Sequence, residues 1–112
     1  FLHAAPLEKA DLTGAQLDDA QAFKAKLTEA QLADVSAIAA NFSEANLTNA
    51  NLEDANLSSA SFANAILEGA QLHNANFEGA DLAGTKLTGA KYNAATAWPE
   101  QFDPAAAGAI LE

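Results

Sequence analysis

The amino-acid sequence predicts an all-β solenoid, a chain that turns once every five residues and closes a four-sided coil every twenty. Three observations predict it. The first is an unbroken period: Leu12, Leu17, Ala22, Leu27, Leu32, Ala37, Phe42, Leu47, Leu52, Leu57, Phe62, Leu67, Leu72, Phe77, Leu82, Leu87 and Tyr92 follow one another in steps of five. The second is the small residue two places before each of these centres, which is Ala except at Val35 and Thr85. The third is the character of the other three positions. They are mostly Asn, Gln, Ser, Thr, Asp, Glu, Lys and Gly, which suit turns and solvent.

The period excludes the two regular elements. Five residues advance about 500° around a straight α-helix, so the centres would spiral over every face and leave no apolar stripe. Five is odd, so along a straight strand the centres would alternate between faces. A chain that turns every five residues points every centre inward, with Ala beside it where only a methyl fits. Four such sides return the chain to its start. Stacked coils then pair their backbone groups at a strand-like spacing of about 4.8 Å.

The run Ala45-Asn46-Leu47-Thr48-Asn49-Ala50-Asn51-Leu52-Glu53-Asp54-Ala55-Asn56-Leu57-Ser58-Ser59 resembles the A(D/N)LXX pattern of the pentapeptide-repeat proteins. The resemblance covers roughly residues 10–94. It implies that family's fold, a right-handed quadrilateral β-helix, here of about four to five coils with four pentapeptides per coil. Handedness comes from the resemblance, because periodicity does not give it. The tail Trp98-Pro99-Glu100-Gln101-Phe102-Asp103-Pro104 looks like that of cyanobacterial members. On this reading residues 1–9 are an N-terminal cap or first partial coil, 10–94 the β-helix, and 95–112 a C-terminal cap.

Stacking places residues twenty apart in columns. Phe42 is expected on Phe62. Leu27, Leu47, Leu67 and Leu87 form one ladder, and Leu12, Leu32, Leu52, Leu72 and Tyr92 another. Each buried Leu contributes about 1.5–3 kcal/mol. The second residue after the centre is Gly14, Gly69, Gly79, Gly84 or Gly89 in some units, but Asp19, Lys24, Glu29 or Ser59 in others. The latter disfavour positive φ, so type I turns are expected to be common, not an obligate left-handed residue throughout.

One coil departs from the pattern. Ala22 and Ala37 stand where Leu is expected, and each is followed by a large apolar residue, Phe23 and Ile38. Exposed Phe and Ile side by side are unfavourable, so the favoured expectation is that both swing inward to fill the space. The competing expectation is an outward apolar patch at one corner that grips a partner. At the C-terminus, Asp103 as N-cap and Pro104 at the first helical position predict a short capping helix over 105–111. Trp98, Phe102 and Ile110 are expected to cover the last coil. Phe1, Leu2, Pro6 and Leu7 are expected at the other end. A start at Phe1 in place of Met fits a processed or trimmed chain.

No catalytic constellation appears, and no cofactor or metal is expected. His3 and His73 fall at different places in the coil frame, with no Cys in the chain, and read as surface residues. Ser58, Ser59 and Ser61 lack a positioned base. The densest predicted acidic column is Asp34 and Asp54, twenty apart, with Glu53 adjacent. It reads as a solvated face, since straight parallel sides rarely enclose a cation. Asn41, Asn46, Asn51 and Asn56 circle one coil and are expected to bond turns or backbone.

Fifteen acidic residues against five basic ones give a net charge of −10. That argues against direct binding of nucleic acid or of anionic membranes. The longest apolar stretch, Ala105–Leu111, is far short of a membrane span. The sequence therefore reads as a non-enzymatic structural or protein-interaction scaffold with an unknown protein partner. A monomer is expected, with an end-to-end dimer open. The compartment stays open too: cytoplasmic, or periplasm or thylakoid lumen if a leader has been removed. The alternative comes from the resemblance, since some members bind DNA gyrase or topoisomerase as DNA mimics. A duplex segment of about 24 Å carries about fourteen charges, so the magnitude is not prohibitive. The acids, however, scatter over all four sides, and Lys24, Lys26, Lys86 and Lys91 interrupt the ends.

Overall fold

The structure, a computed structural model, describes residues 1–112. The chain forms a four-sided solenoid whose sides are joined by parallel bridges. One column runs Pro6, Lys26, Asn46, Ile66, Lys86; the next runs Asp11, Gln31, Asn51, Gln71, Lys91. The third runs Gln16, Ser36, Asn56, Asn76, Ala97, and the fourth Gln21, Asn41, Ser61, Asp81. Partners are twenty residues apart until the last steps. Two short strands, β1 (Lys91–Tyr92) and β2 (Ile110–Leu111), pair in parallel at the C-terminal end. Elsewhere each side contributes a single bridge to its neighbours, so the ladder is a stack of bridges, not a closed sheet.

Each side bonds both ways. The Asn51 N–H donates back to the Ala30 carbonyl at 2.9 Å, and the Leu52 N–H donates forward to the Gln71 carbonyl at 2.8 Å. Each turn then closes on itself, as where the Ala50 N–H reaches the Leu47 carbonyl at 3.0 Å.

The turns correct the sequence expectation. The second residue after the centre has positive φ in every unit from Leu12 to Leu87, whether it is Gly14 (72°), Asp19 (61°), Lys24 (60°), Glu29 (58°) or Ser59 (60°). With φ positive there and not at the residue before it, these are type II turns. The cause lies in the neighbouring coil. The Asn49 N–H donates to the Glu68 carbonyl at 2.9 Å, and the Glu29 N–H donates to the Thr48 carbonyl at 2.9 Å. The central peptide of each turn must therefore stand along the solenoid axis. A left-handed residue costs about 1–2 kcal/mol, but a buried N–H left without a partner costs about as much or more.

Asn or Asp before the centre supports the same turn. The Asn46, Asn51 and Asn76 Oδ1 atoms accept the N–H two residues on, at 3.0, 2.9 and 2.9 Å. This is the local side-chain bond that these residues favour.

The core is the stack of centres. Leu27, Leu47, Leu67 and Leu87 are buried, as are Leu32, Leu52 and Leu72. Phe42 and Phe62 stack at 5.2 Å with planes 13° apart, and Phe62 meets Phe77 edge-on at 5.5 Å. Thr85, one of the two exceptions to Ala, donates its hydroxyl to the Phe62 carbonyl at 2.8 Å.

The ends differ. Residues 1–9 bond upward by the common rule, with the Leu2 N–H on the Gln21 carbonyl and the Leu7 N–H on the Lys26 carbonyl. At the other end the frame slips. Asn76 pairs with Ala97 and Lys91 with Ile110, so the spacing of twenty lengthens to twenty-one at Asn76 and shortens to nineteen at Lys91. Thr96 takes the small-residue position, buried, with its hydroxyl on the Leu72 carbonyl at 2.9 Å. No capping helix forms. The Asp103 Oδ1 accepts the Ala106 N–H at 3.2 Å as an N-cap would. The chain makes only turns, however, and Gly108 at φ +92° sends it back as strand β2. Ala109 points inward in place of Ile110, which is 48% exposed. The driving force is the open edge of β1: a helix would leave its donors and acceptors unpaired.

Candidate interaction surface

The corners carry the outward side chains, and the structure decides the expectations placed on them. Ala22 and Ala37 remain the inward centres, both at 0% exposure. Phe23 and Ile38 therefore do not swing inward. They occupy the first turn position after their centres, Phe23 half-buried and Ile38 38% exposed. The interior has no room for them, because Ala22 lies in the column of the bulky Phe42 and Ala37 on the preceding side of its coil. Nor do they share one corner. They flank the column Gln21, Asn41, Ser61, Asp81 on opposite sides. Ile38 stands above Asp18, whose Oδ1 accepts the Ile38 N–H at 3.0 Å and the Ser36 hydroxyl at 2.7 Å. Phe23 instead continues downward, its ring 5.2 Å from that of His3, which lies 6.2 Å from Phe1. The Lys24 Nζ sits 5.2 Å from the Phe23 ring centroid, within cation–π range.

The predicted acidic column does not hold together as one cluster. Asp34 and Asp54 do occupy one corner on successive coils and are exposed. Glu53 turns away from them: its Oε2 is 3.2 Å from the His73 Nδ1, and the His73 Nε2 is 2.7 Å from Glu112 Oε1. The Glu53 contact is misaligned for a hydrogen bond, and the Nδ1 atom has no partner in that sense. The contact between Glu53 and His73 was legible as a spacing of twenty. That of His73 with Glu112 was not, because the frame slips between them.

One carboxylate is tuned by its turn. Asp11 accepts the Thr13 hydroxyl at 2.7 Å and the Thr13 N–H at 3.1 Å. These two bonds hold its carboxyl below the ordinary value, since both favour the charged form. The surface has no pocket, and no cluster of three or more His, Cys, Asp or Glu side chains is placed to hold a metal ion. No helix is long and apolar enough to cross a membrane.

These features define a filled repeat solenoid that presents side chains from regular faces. The family model "Pentapeptide repeats" matches eight copies, over residues 2–36, 15–54, 25–62 and 55–91, and the chain belongs to that family. Among solved structures it is similar to alr5209, a pentapeptide repeat protein from Nostoc PCC 7120. The identity is 36%, the TM-score 0.89, and the match covers 91% of this chain and 84% of that one. It is also similar to AT2G44920, a pentapeptide repeat protein from the Arabidopsis thaliana thylakoid lumen. There the identity is 32%, the TM-score 0.66, and 77% of this chain covers 63% of that one. A third likeness is to HetL of Nostoc sp. PCC 7120, a pentapeptide repeat protein involved in heterocyst differentiation regulation. It has 26% identity, a TM-score of 0.50, and coverage of 99% of this chain and 62% of that one. No curated protein matches the sequence.

Proposed function

We propose that the chain is a non-enzymatic protein-interaction scaffold, built as a right-handed β-helix of about four to five coils over residues 10–94. The segments 1–9 and 95–112 form its ends. The observation that carries this reading is the division of labour within each pentapeptide. The centre and the small residue fill the interior, and the backbone groups are spent on the ladder. The remaining side chains are left as ordered outward rows. HetL, which is involved in regulating heterocyst differentiation, lends the reading support by analogy.

The partner-binding residues are proposed at the apolar corner residues Phe23 and Ile38 and at the acidic corner of Asp34, Glu53 and Asp54. The test is chemical cross-linking with mass spectrometry in the source cell, comparing the parent with Phe23→Ser, Ile38→Ser and Asp34→Ser. A partner lost with one of these variants while its melting temperature stays that of the parent supports the reading. Identical cross-links for all of them would overturn the assignment of these corners.

DNA mimicry toward gyrase or topoisomerase is the weaker proposal. Its acids are distributed over four sides, and Glu53 is engaged by His73. A titration of gyrase supercoiling at near-physiological salt decides it, and inhibition there would restore this alternative.

A further inference from the structure

The ladder has an internal gap, along the side of the coil that holds Asp81. One coil below, the Ser59, Phe62 and Asn64 N–H groups donate to the Glu78, Asp81 and Ala83 carbonyls at 2.9, 2.8 and 2.8 Å, and the Ala60 carbonyl accepts the Asp81 N–H at 2.9 Å. The equivalent groups of the next coil are the N–H of Gly79, Leu82 and Gly84 and the C=O of Ala80, and none of them has a backbone partner. The chain does not stop here. Ala97 sits in the ladder on Asn76 before the gap, and Ile110 is back in it on Lys91 beyond the gap.

The cause is a short cut. The lower coil takes fifteen residues to go from Asn76 to Lys91, and the segment above takes thirteen from Ala97 to Ile110. Two residues short, that segment crosses inside the perimeter and rests Phe102, Ala107 and Ala109 on the core. Outside its path Gly79, Asp81, Ala83 and Gly84 are exposed. They form a ledge of unused backbone groups with a glycine at each corner.

The ledge is shaped for another backbone. Peptide groups left unpaired beside a buried residue such as Leu82 are costly. A parallel bridge opposite Asp81 needs a single residue. Its N–H donates to the Ala80 carbonyl and its C=O accepts the Leu82 N–H, as Asp81 itself serves Ala60 and Phe62 one coil below. Carbonyls to either side of that residue then serve Gly79 and Gly84. The glycines leave room for the approach. Asn64, at the corner below, shows the alternative: its Oδ1 rises into the space that a Cβ on Gly84 would take. A bare anion fits poorly, since it leaves the Ala80 carbonyl unpaired and meets the exposed carboxylates of Glu78 and Asp81. The crossing segment adds Glu100 and Asp103, also exposed, so the charge that suits the ledge is positive.

We propose that the ledge from Gly79 to Gly84 binds an extended, lysine- or arginine-bearing segment of a partner protein, added as one more strand of the ladder. This rests on the scaffold reading. It uses neither the corners of Phe23 and Ile38 nor that of Asp34, Glu53 and Asp54, so the two can fail separately.

The probe is an acetylated and amidated hexapeptide of alternating lysine and valine, titrated to about 1 mM into the isotope-labelled chain and followed by NMR. In the free protein the Gly79, Leu82 and Gly84 amides should exchange with solvent at least about tenfold faster than those of Ser59, Phe62 and Asn64. The peptide should shift the resonances of the first three and slow their exchange. The same peptide N-methylated at its lysines lacks the bridging N–H and should bind at least about tenfold more weakly. A peptide with glutamate in place of lysine should not bind. Gly79→Asn should block binding without loss of the fold, because Asn tolerates positive φ and a Cβ there meets the Ser59 side chain at 3.5 Å. Asp81→Asn keeps an oxygen for the Ala83 N–H, which Asp81 Oδ1 accepts at 3.0 Å, and should weaken binding about threefold. No shift by the end of the titration overturns the proposal. So do shifts centred on another side, free-protein amides as protected as those one coil below, or binding indifferent to N-methylation, to peptide charge or to Gly79→Asn.

Discussion

The rings of Phe77 and Trp98 lie parallel, 3° apart in plane and 5.1 Å between centroids, although the two residues are out of step with the repeat. Trp98 also meets Tyr92 edge-on at 5.5 Å and stacks under Phe102 at 5.3 Å. It thus joins the aromatic column of the core to the closing segment. Trp98→Ala is expected to lose about 3 kcal/mol, the low end for a large aromatic because the ring is partly exposed. Urea unfolding measures it. A loss below about 1 kcal/mol would mean that the column ends at Phe77.

The left-handed turn residues make a prediction with the opposite sign. Glu29 has φ 58° and is exposed, and its side chain has no hydrogen bond to lose. Glu29→Gly should stabilise the fold by about 1 kcal/mol, because glycine carries no Cβ penalty there. Gly69→Ala should destabilise it: φ is 69°, and a Cβ would run into the Asn49 side chain. Thermal melts of the two variants should move in opposite directions.

Leu52 is 1% exposed in the middle of its ladder. Leu52→Asp places a charge where no partner exists and should cost at least about 4 kcal/mol. A variant that melts like the parent would contradict the inward placement of the centres.

Asp11 gives a pH-dependent term. Its folded value lies below the ordinary 3.8 because of the Thr13 hydroxyl first and the Thr13 N–H second. The bonds therefore stabilise the fold above the unfolded value, and that contribution is lost as pH falls through the folded one. NMR titration should show the Asp11 carboxyl rising toward 3.8 in Thr13→Ala. An unchanged value would remove Thr13 as the cause.

The repeat made much of this legible. A period of five with Ala two places before each centre placed Phe42 on Phe62 and named the inward ladders, because burial depends on side-chain size at fixed positions. It failed where a residue's own preference was set against a partner in the next coil. Lys24 and Glu29 disfavour positive φ as isolated residues, yet the axial bond of the flipped peptide decides their conformation. It failed again at Phe23 and Ile38, where apolar character suggested burial but the interior had no vacancy. Asp103 and Pro104 read as a helix start because local signals favour one. The exposed edge of β1, nineteen residues before its partner and outside any local motif, draws the chain into strand β2 instead.

The twenty-residue register has a consequence for how the molecule gains and loses order. A coil touches only the one beneath it and the one above, so no contact is truly distant along the chain. Order can spread from any interior coil by adding neighbours, and it frays from the ends in the same steps. Length becomes an adjustable quantity: removing a block of twenty rejoins equivalent surfaces and shortens the stack by about 4.8 Å. The protein behaves less like a globule with a single melting event than like a ruler marked in coils.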